Sequence, residues 1–383
     1  MALKSLTDKI KENQVERASN VVCTIGSLGY LPQLNAFTNS LLENHANCKL
    51  VMVLVDIDFE YEVIIKSVRI LSARNILGSK FDELASRYDI VEFATCLKPI
   101  LIQKLLLEGN QNVAYIDPDV MFFSNLNDIF DKSSRSNILL TPHRLIPSDN
   151  SDSIIQDSIF LRYGVFNLGF ICVSAKAYDF VDWWISRTLY SSHRIFKDSV
   201  YTDQKWIDLI PAYFRYRILD NPGCNVAPWN IDERPVQNRE GKWFIGEKQL
   251  VFFHFSQFAS STKELEFHAK NYLSRAHHST FPVLNDLLQE YKDALRKPSL
   301  ITNALNLEGI KESNLTQFAK FSDMTKIINR SGFRIIGINL FNWRIPKILK
   351  KSNTIRSLSV AFGEDLIHLR KKIKFRKKAG SLD

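Results

Sequence analysis

The stretch Val113-Ala114-Tyr115-Ile116-Asp117-Pro118-Asp119-Val120 decides the reading of this chain. Four apolar residues in a row follow the turn formers Asn110-Gln111-Asn112 and predict a buried strand over 113–116. Two carboxylates come directly after it, one residue apart, joined by a proline that stiffens the link. In open α/β sheets, ligands gather beyond the carboxyl ends of strands. An acidic pair placed there can approach one hard cation and leave positions open for water and phosphate oxygens, as Mg²⁺ or Mn²⁺ usually requires. An Asp-X-Asp triplet also arises by chance as a solvated turn. Its position behind a buried strand favours the metal.

The flanking sequence predicts more of the same architecture. Residues Asn20 to Ile25 form a β-branched run closed by Gly26-Ser27 and Gly29, which reads as a strand opening into a loop. Residues 31–44 carry Leu34, Phe37, Thr38, Leu41 and Leu42 at helical spacing, and 49–55 is a second strand ending at Asp56. Strand, helix and strand in this order predict a βαβ unit and a parallel sheet. Further on, Tyr88 to Phe93 reads as a strand, and Lys98 to Leu107 as a helix with Pro99 in its first turn. Residues 137–140 read as a short strand. Phe170 to Val173 reads as another, entered through Asn167-Leu168-Gly169. Ser174 is placed to cap a helix with a buried stripe of Tyr178, Val181, Trp184 and Ile185. Gln249 to Phe253 is a last strand, ending at His254. The predicted fold is α/β, a Rossmann-like mixed sheet flanked by helices over residues 1–296. A basic, mainly helical extension follows over 297–383, with Lys297-Pro298-Ser299 as the linker.

The 383 residues suffice for one large domain or two ordinary ones, and 45% hydrophobic content supports a sizeable core. No apolar run of about 18 residues predicts a membrane-spanning helix. The first twenty residues lack the apolar core of an export signal. Cys23, Cys48, Cys96, Cys172 and Cys224 are scattered without zinc-like spacing, which fits a reduced, cytoplasmic setting. Residues 334–378 hold 13 Lys or Arg against Glu364 and Asp365, a local balance of +11. With a total of +9, the rest of the chain is near −2.

The segment Ile116-Asp117-Pro118-Asp119-Val120-Met121-Phe122-Phe123-Ser124 resembles the DXD segment of GT-A glycosyltransferases. It is most similar to glycosyltransferase family 8, which contains glycogenin and bacterial lipopolysaccharide galactosyl- and glucosyltransferases. Four further stretches agree in order: Thr24 to Tyr30, Phe166-Asn167-Leu168-Gly169-Phe170, Thr202-Asp203-Gln204 and Phe253-His254-Phe255. The set covers about residues 20–258. Leu168 stands where that family has Ser, Lys205 follows where it usually has Asp, and the late motif lacks its Gly and Lys-Pro-Trp.

The resemblance implies a GT-A fold, a UDP-sugar donor, and Mn²⁺ or Mg²⁺ held by Asp117, Asp119 and His254. It implies that Thr24 and Tyr30 hold the base, with Tyr30 as a stacking face, while Tyr30 also reads as a cap for the helix that follows. Asp56 is a weaker candidate for base or ribose contact. Lys98 is either a point charge for the diphosphate or an exposed lysine at a helix start. Asn167 is a sugar contact or a turn residue, and Gly169 admits close backbone approach. Asp203 and Gln204 would sit near the transferred sugar. With inversion, Asp203 is the candidate base. With retention, toward which the resemblance leans, the leaving diphosphate assists the acceptor and Gln204 lies beneath the anomeric carbon. Asp203 also reads as an ordinary helix N-terminal acid. His143 reads equally as a site or a structural residue. The segment 221–230 reads as a loop over the site with Trp229 facing a sugar ring, or as a packed structural loop.

The basic segment interleaves Phe, Ile and Trp343 with its cations, which suits an anionic membrane surface and a glycolipid acceptor. A solvated tail is the plain alternative, and no nucleic-acid motif accompanies it. The expected protein is a cytoplasmic, peripheral transferase acting on a glycan or glycolipid in bacterial surface polysaccharide synthesis. A nucleotidyltransferase, a sugar-nucleotide hydrolase and a non-catalytic lectin-like scaffold are the rivals.

Overall fold

A computed structural model describes residues 20–59, 62–147, 153–195, 200–256 and 281–298, with Ile301 and Leu305 beyond them. All lie in the compact unit Met1–Ile336. The unit Gly337–Asp383, and the whole of the basic segment read at 334–378, lie outside the described residues.

The centre is a mixed eight-stranded sheet. Its strands are β1 (Asn20–Gly26), β2 (Lys49–Leu54), β3 (Val63–Ile65), β4 (Val68–Ser72), β5 (Asn112–Ile116), β7 (Ile138–Pro142), β8 (Phe166–Ser174) and β9 (Arg217–Ile218). Across the sheet the order is β9, β7, β8, β5, β1, β2, β4, β3. Strand β1 is parallel to both β2 and β5, while β8 is antiparallel to β5 and β7. A separate two-stranded ribbon pairs β6 (Val120–Phe122) with β10 (Phe252–His254), antiparallel.

Helix α1 (Leu31–Asn44) follows β1 with Pro32 in its first turn, where a missing N–H costs nothing. Its apolar face buries Leu34, Phe37 and Leu41. Its polar side binds β6, since Ser40 Oγ accepts from Phe122 N at 3.1 Å and Asn44 Nδ2 donates to Phe122 O at 3.1 Å.

The strand expected at Tyr88 to Phe93 is helical. Asp89 caps helix α2 (Ile90–Leu107), accepting from Val91 N and Glu92 N, while Glu92 accepts in return from Asp89 N at 3.3 Å. This capping box, and the buried i, i+4 series Phe93, Leu97, Leu101 and Leu105, override the local β-branched pair. Pro99 therefore lies inside the helix and not in its first turn.

Helices α3 (Asn127–Ser134), α4 (Ser153–Tyr163), α5 (Tyr178–Thr188) and α6 (Phe281–Arg296) complete the main set. In α5 the buried residues are Phe180, Val181, Trp184 and Thr188, so the expected stripe is right at Val181 and Trp184 and shifted at its ends. Apolar clusters lie on both faces of the sheet. One packs around Phe93, Leu97 and Trp184, the other around Phe37, Phe122 and Phe252. Residues 167–169 are not a loop before β8 but part of it, because β8 starts at Phe166.

Candidate active site

The order of the sheet reverses at β1, whose two parallel neighbours are reached by α1 on one side and α2 on the other. The crevice beyond the carboxyl ends of β1 and β5 is the place such a reversal leaves open for ligands. Strand β8 runs the other way, with Ile116 opposite Phe170. Its first residues therefore reach the same edge. The register of the β6–β10 ribbon places His254 opposite Val120.

Three potential ligands converge there. One oxygen each from Asp117 and Asp119 and one nitrogen of His254 all lie within 4.8 Å of one another. Backbone bonds pin the acidic pair: Asp117 N donates to Gly169 O at 2.9 Å, and Phe255 N donates to Asp119 O at 2.8 Å. His254 Nε2 is 3.1 Å from Asp119 Oδ1. Burial opposes charge on both groups, but their mutual attraction prevails, lowering Asp119 and raising His254. Two carboxylates and an imidazole form a donor set that fits a divalent cation, and the imidazole suits Mn²⁺ better than Mg²⁺.

Gly169 has a steric function here. A Cβ at this position would lie 2.3 Å from His254 Cε1 and 2.4 Å from His254 Nδ1. Only glycine lets β8 pass beside the ring.

Lys98 is buried, not exposed. Its ammonium lies 3.2 Å from Asp117 Oδ1 and 3.3 Å from Asp203 Oδ2, and donates to Leu168 O at 3.1 Å. It also stands 4.6 Å from the centre of the Tyr115 ring, whose hydroxyl donates to Asp117 Oδ1 at 2.8 Å. Burial disfavours the charged lysine, yet the two carboxylates hold its pKa above the ordinary value. Burial pushes Asp203 up, with Lys98 opposing.

Asp203 is only 1% exposed and is enclosed beside Lys98. Thr202 before it has φ 48°, an uncommon left-handed conformation for a β-branched residue. Gln204 spans two elements: its Oε1 accepts from Leu168 N at 3.0 Å, and its Nε2 donates to Tyr163 O at 3.0 Å.

Asn167 is tied into the interior. Its Oδ1 accepts from Gly169 N and from Asn225 Nδ2, each at 3.0 Å, and its Nδ2 faces His143 Nε2 at 3.3 Å. His143 is stacked on Phe160 and lies edge-on to Trp229. Burial lowers its pKa to about 4, so the ring is neutral. The segment 223–228 is buried, and Trp229 meets His254 edge-on with centroids 5.2 Å apart. The indole N–H of Trp229 is buried without a hydrogen-bond partner among the described residues.

On the side of β1, Thr24 is fully buried and its hydroxyl has no partner among the described residues. Asp56 accepts from Leu28 N at 2.9 and 3.0 Å, so it shapes the turn that carries Tyr30. Burial raises its pKa against that bond. Tyr30 is 44% exposed; burial and the negative charges of Asp119 and Asp117 raise its phenol. The structure thus brings Asp117, Asp119, His254, Lys98, Asp203, Asn167 and Gly169 together, with Tyr30 at the same edge.

Three residues escaped the sequence reading. Asn225 touches His254, Tyr115 bonds Asp117, and Tyr291 of α6 stacks on Phe255 at 3.8 Å between centroids. Tyr115 was visible as a polar-tipped residue two before Asp117. Asn225 lies in the segment 221–230 read as a loop over the site, though nothing local marked its contact with His254, and Tyr291 comes from a distant segment with no local signal.

No protein-family model matches the chain. Among curated proteins it is 29% identical over 180 residues to an uncharacterized protein of Bacillus subtilis, YfnD, the match spanning 45% of this chain and 56% of that one. The chain therefore matches little more than half the length of that relative. It is 24% identical over 285 residues to a second from the same organism, YfnF, spanning 71% of this chain and 91% of that one. A solved structure of the galactosyltransferase LgtC with donor and acceptor sugar analogs aligns at TM-score 0.44 and 12% identity, covering 74% of this chain and 99% of that one. The glycosyltransferase GlyE of Streptococcus pneumoniae aligns at TM-score 0.42 and 15% identity, covering 74% and 66%. Mouse xyloside xylosyltransferase 1 aligns at TM-score 0.40 and 9% identity, covering 63% and 99%.

Proposed function

We propose that this chain is a metal-dependent glycosyltransferase that moves a hexose from a UDP-sugar to a hydroxyl of a glycan or glycolipid. The observation that carries this reading is the convergence of Asp117, Asp119 and His254 at the switch point of the sheet, beside Tyr30. Mn²⁺ or Mg²⁺ held there would neutralise the diphosphate as it leaves.

Tyr30 offers the base an apolar face, with Thr24 and Asp56 shaping the strand end and turn beneath it. Lys98 and Asp203 form a buried ion pair that orients Asp117, so both are positioning residues in this proposal. Asn167 and Gly169 hold the wall of β8 against His254. Gln204, whose amide bridges Leu168 N and Tyr163 O, would lie beneath the anomeric carbon, and the Trp229 indole N–H, unpaired among the described residues, would face the sugar.

The burial of Asp203 speaks against its use as the base of an inverting reaction and supports retention. In the retaining reaction the acceptor oxygen bonds to the anomeric carbon, the bond from that carbon to the diphosphate oxygen breaks, and the acceptor proton passes to the leaving diphosphate. UDP and the glycoside are the products. The basic segment, read as an extension over 297–383, would hold the enzyme at an anionic membrane where a glycolipid acceptor lies. No described helix is long and apolar enough to cross a membrane.

The test is a thermal-shift series with UDP, GDP, CDP and UDP-sugars, with and without Mn²⁺, on the parent protein and on Asp119→Ala. UDP and Mn²⁺ together raise the melting temperature of the parent only. No shift under any nucleotide and metal would sink the donor assignment. Product analysis separates a transferase, which yields UDP and a glycosylated acceptor, from a hydrolase, which yields free sugar.

A further inference from the structure

We propose that Asn225 is a positioning residue that fixes the tautomer of His254, leaving the Nε2 lone pair for the cation; this rests on the metal-centre reading above. The assignment follows from counting hydrogens along a buried chain of polar groups. It starts at Val165 O, which can only accept. His143 Nδ1 lies 3.2 Å from it and must carry the hydrogen. The ring is neutral, so its Nε2 is an acceptor, and Asn167 Nδ2 at 3.3 Å supplies the donor.

That orientation turns Asn167 Oδ1 the other way. There it accepts from Gly169 N at 3.0 Å, which can only donate, and from Asn225 Nδ2 at 3.0 Å. The second hydrogen of Asn225 Nδ2 goes to Thr141 Oγ1 at 2.8 Å. Both donors of this amide are now used. Its Oδ1, 3.3 Å from His254 Nδ1, is therefore an acceptor, and His254 Nδ1 carries a hydrogen. The other ring nitrogen is the one that faces Asp119.

Two backbone groups, Val165 O and Gly169 N, thus orient both amides and through them the ring. Asn225 is fully buried and holds φ 54°, a conformation that asparagine tolerates better than most residues. Asn230 Nδ2 donates to its carbonyl at 3.1 Å and holds it there. Partners that orient a ligand imidazole typically govern metal affinity by about 10–100-fold.

The test combines two readouts that need no turnover. Long-range ¹H–¹⁵N spectra of the ¹⁵N-histidine-labelled full chain, taken to the high-pH limit where the rings are neutral, report which nitrogen carries the hydrogen. His143 and His254 are both expected as Nδ1–H. Mn²⁺ binding is read from the free-ion EPR signal. Asn225→Ala removes the acceptor and is expected to weaken Mn²⁺ about 10–100-fold and mix the His254 tautomers. Asn225→Asp keeps an acceptor and tolerates φ 54°. It is expected to keep the His254 signature and to bind Mn²⁺ more tightly than Asn225→Ala. A His254 ring with its hydrogen on Nε2 overturns the proposal even if Asn225→Ala fails to fold. So do Ala and Asp variants that both bind like the parent. A parent that shows Nδ1–H but takes up no Mn²⁺ overturns the metal-centre reading and leaves the ordering of the ring standing.

Discussion

At the scale of single residues, the site depends on close approaches and on buried neutral groups. Gly169→Ala forces a methyl into the His254 ring, since the added Cβ would stand 2.3 Å from Cε1. We expect a loss of about 1–3 kcal/mol from overpacking and a fall in Mn²⁺ affinity of about tenfold or more. Urea unfolding and Mn²⁺ titration check the two effects separately. His143 carries a pH signature of its own. Its pKa in the folded protein is about 4, against about 6.5 when unfolded. Below pH 6.5 the unfolded chain takes up a proton that the folded ring refuses. The stabilisation is therefore complete above pH 6.5 and is lost as pH falls toward 4, by up to about 3 kcal/mol. His143→Gln, which keeps one donor and one acceptor, should flatten that part of the stability–pH curve. An unchanged slope would show that His143 is not the group responsible.

At the scale of elements, pattern and terminus both matter. The strand–helix–strand from Asn20 to Leu54 was legible because β-branched runs and a clean helical stripe alternate without conflict. The α2 region was not. Tyr88 to Phe93 looks extended over six residues, but Asp89 and Glu92 close a capping box and commit the segment to helix. Asp89→Ala should lower stability by about 0.5–2 kcal/mol, measured by chemical denaturation. The Asp89 carboxylate also pairs with Arg194, so a value near the upper end is expected. Strand β8 shows the other failure. Asn167 and Gly169 read locally as turn formers, yet they lie inside β8, in the stretch where its register against β7 shifts between Leu140 and Pro142. An irregularity of this kind accommodates turn formers within a strand.

At the scale of the molecule, Lys98 joins three distant segments: α2, the end of β5 and the turn at Thr202-Asp203. Removing its charge leaves Asp203 enclosed without a cation. Lys98→Met should cost about 3–5 kcal/mol, because an unpaired buried charge is the expensive outcome. The double variant Lys98→Met/Asp203→Asn should recover much of that loss in the same unfolding assay. If the double variant is as unstable as the single, the cost lies in packing and not in the orphaned carboxylate. The helix α6 acts at this scale too. Tyr291 stacks on Phe255, next to His254, from a segment more than thirty residues downstream.

The sequence by itself determined the sheet around β1, β2 and β5 and the acidic pair at its edge. Those depend on periodicity and on the residue types directly behind a strand, which are local properties. The motif order further placed Gly169, Asp203 and His254 among the candidates. Only the tertiary structure decided what these groups do to one another. Lys98 turned out to be enclosed between two carboxylates, and Asp203 turned out to be buried beside it. Asn225 emerged as the partner of His254 across 29 residues of chain. Contacts of this kind are set by sheet register and by the packing of separate loops, and neither leaves a trace in the spacing of neighbouring residues.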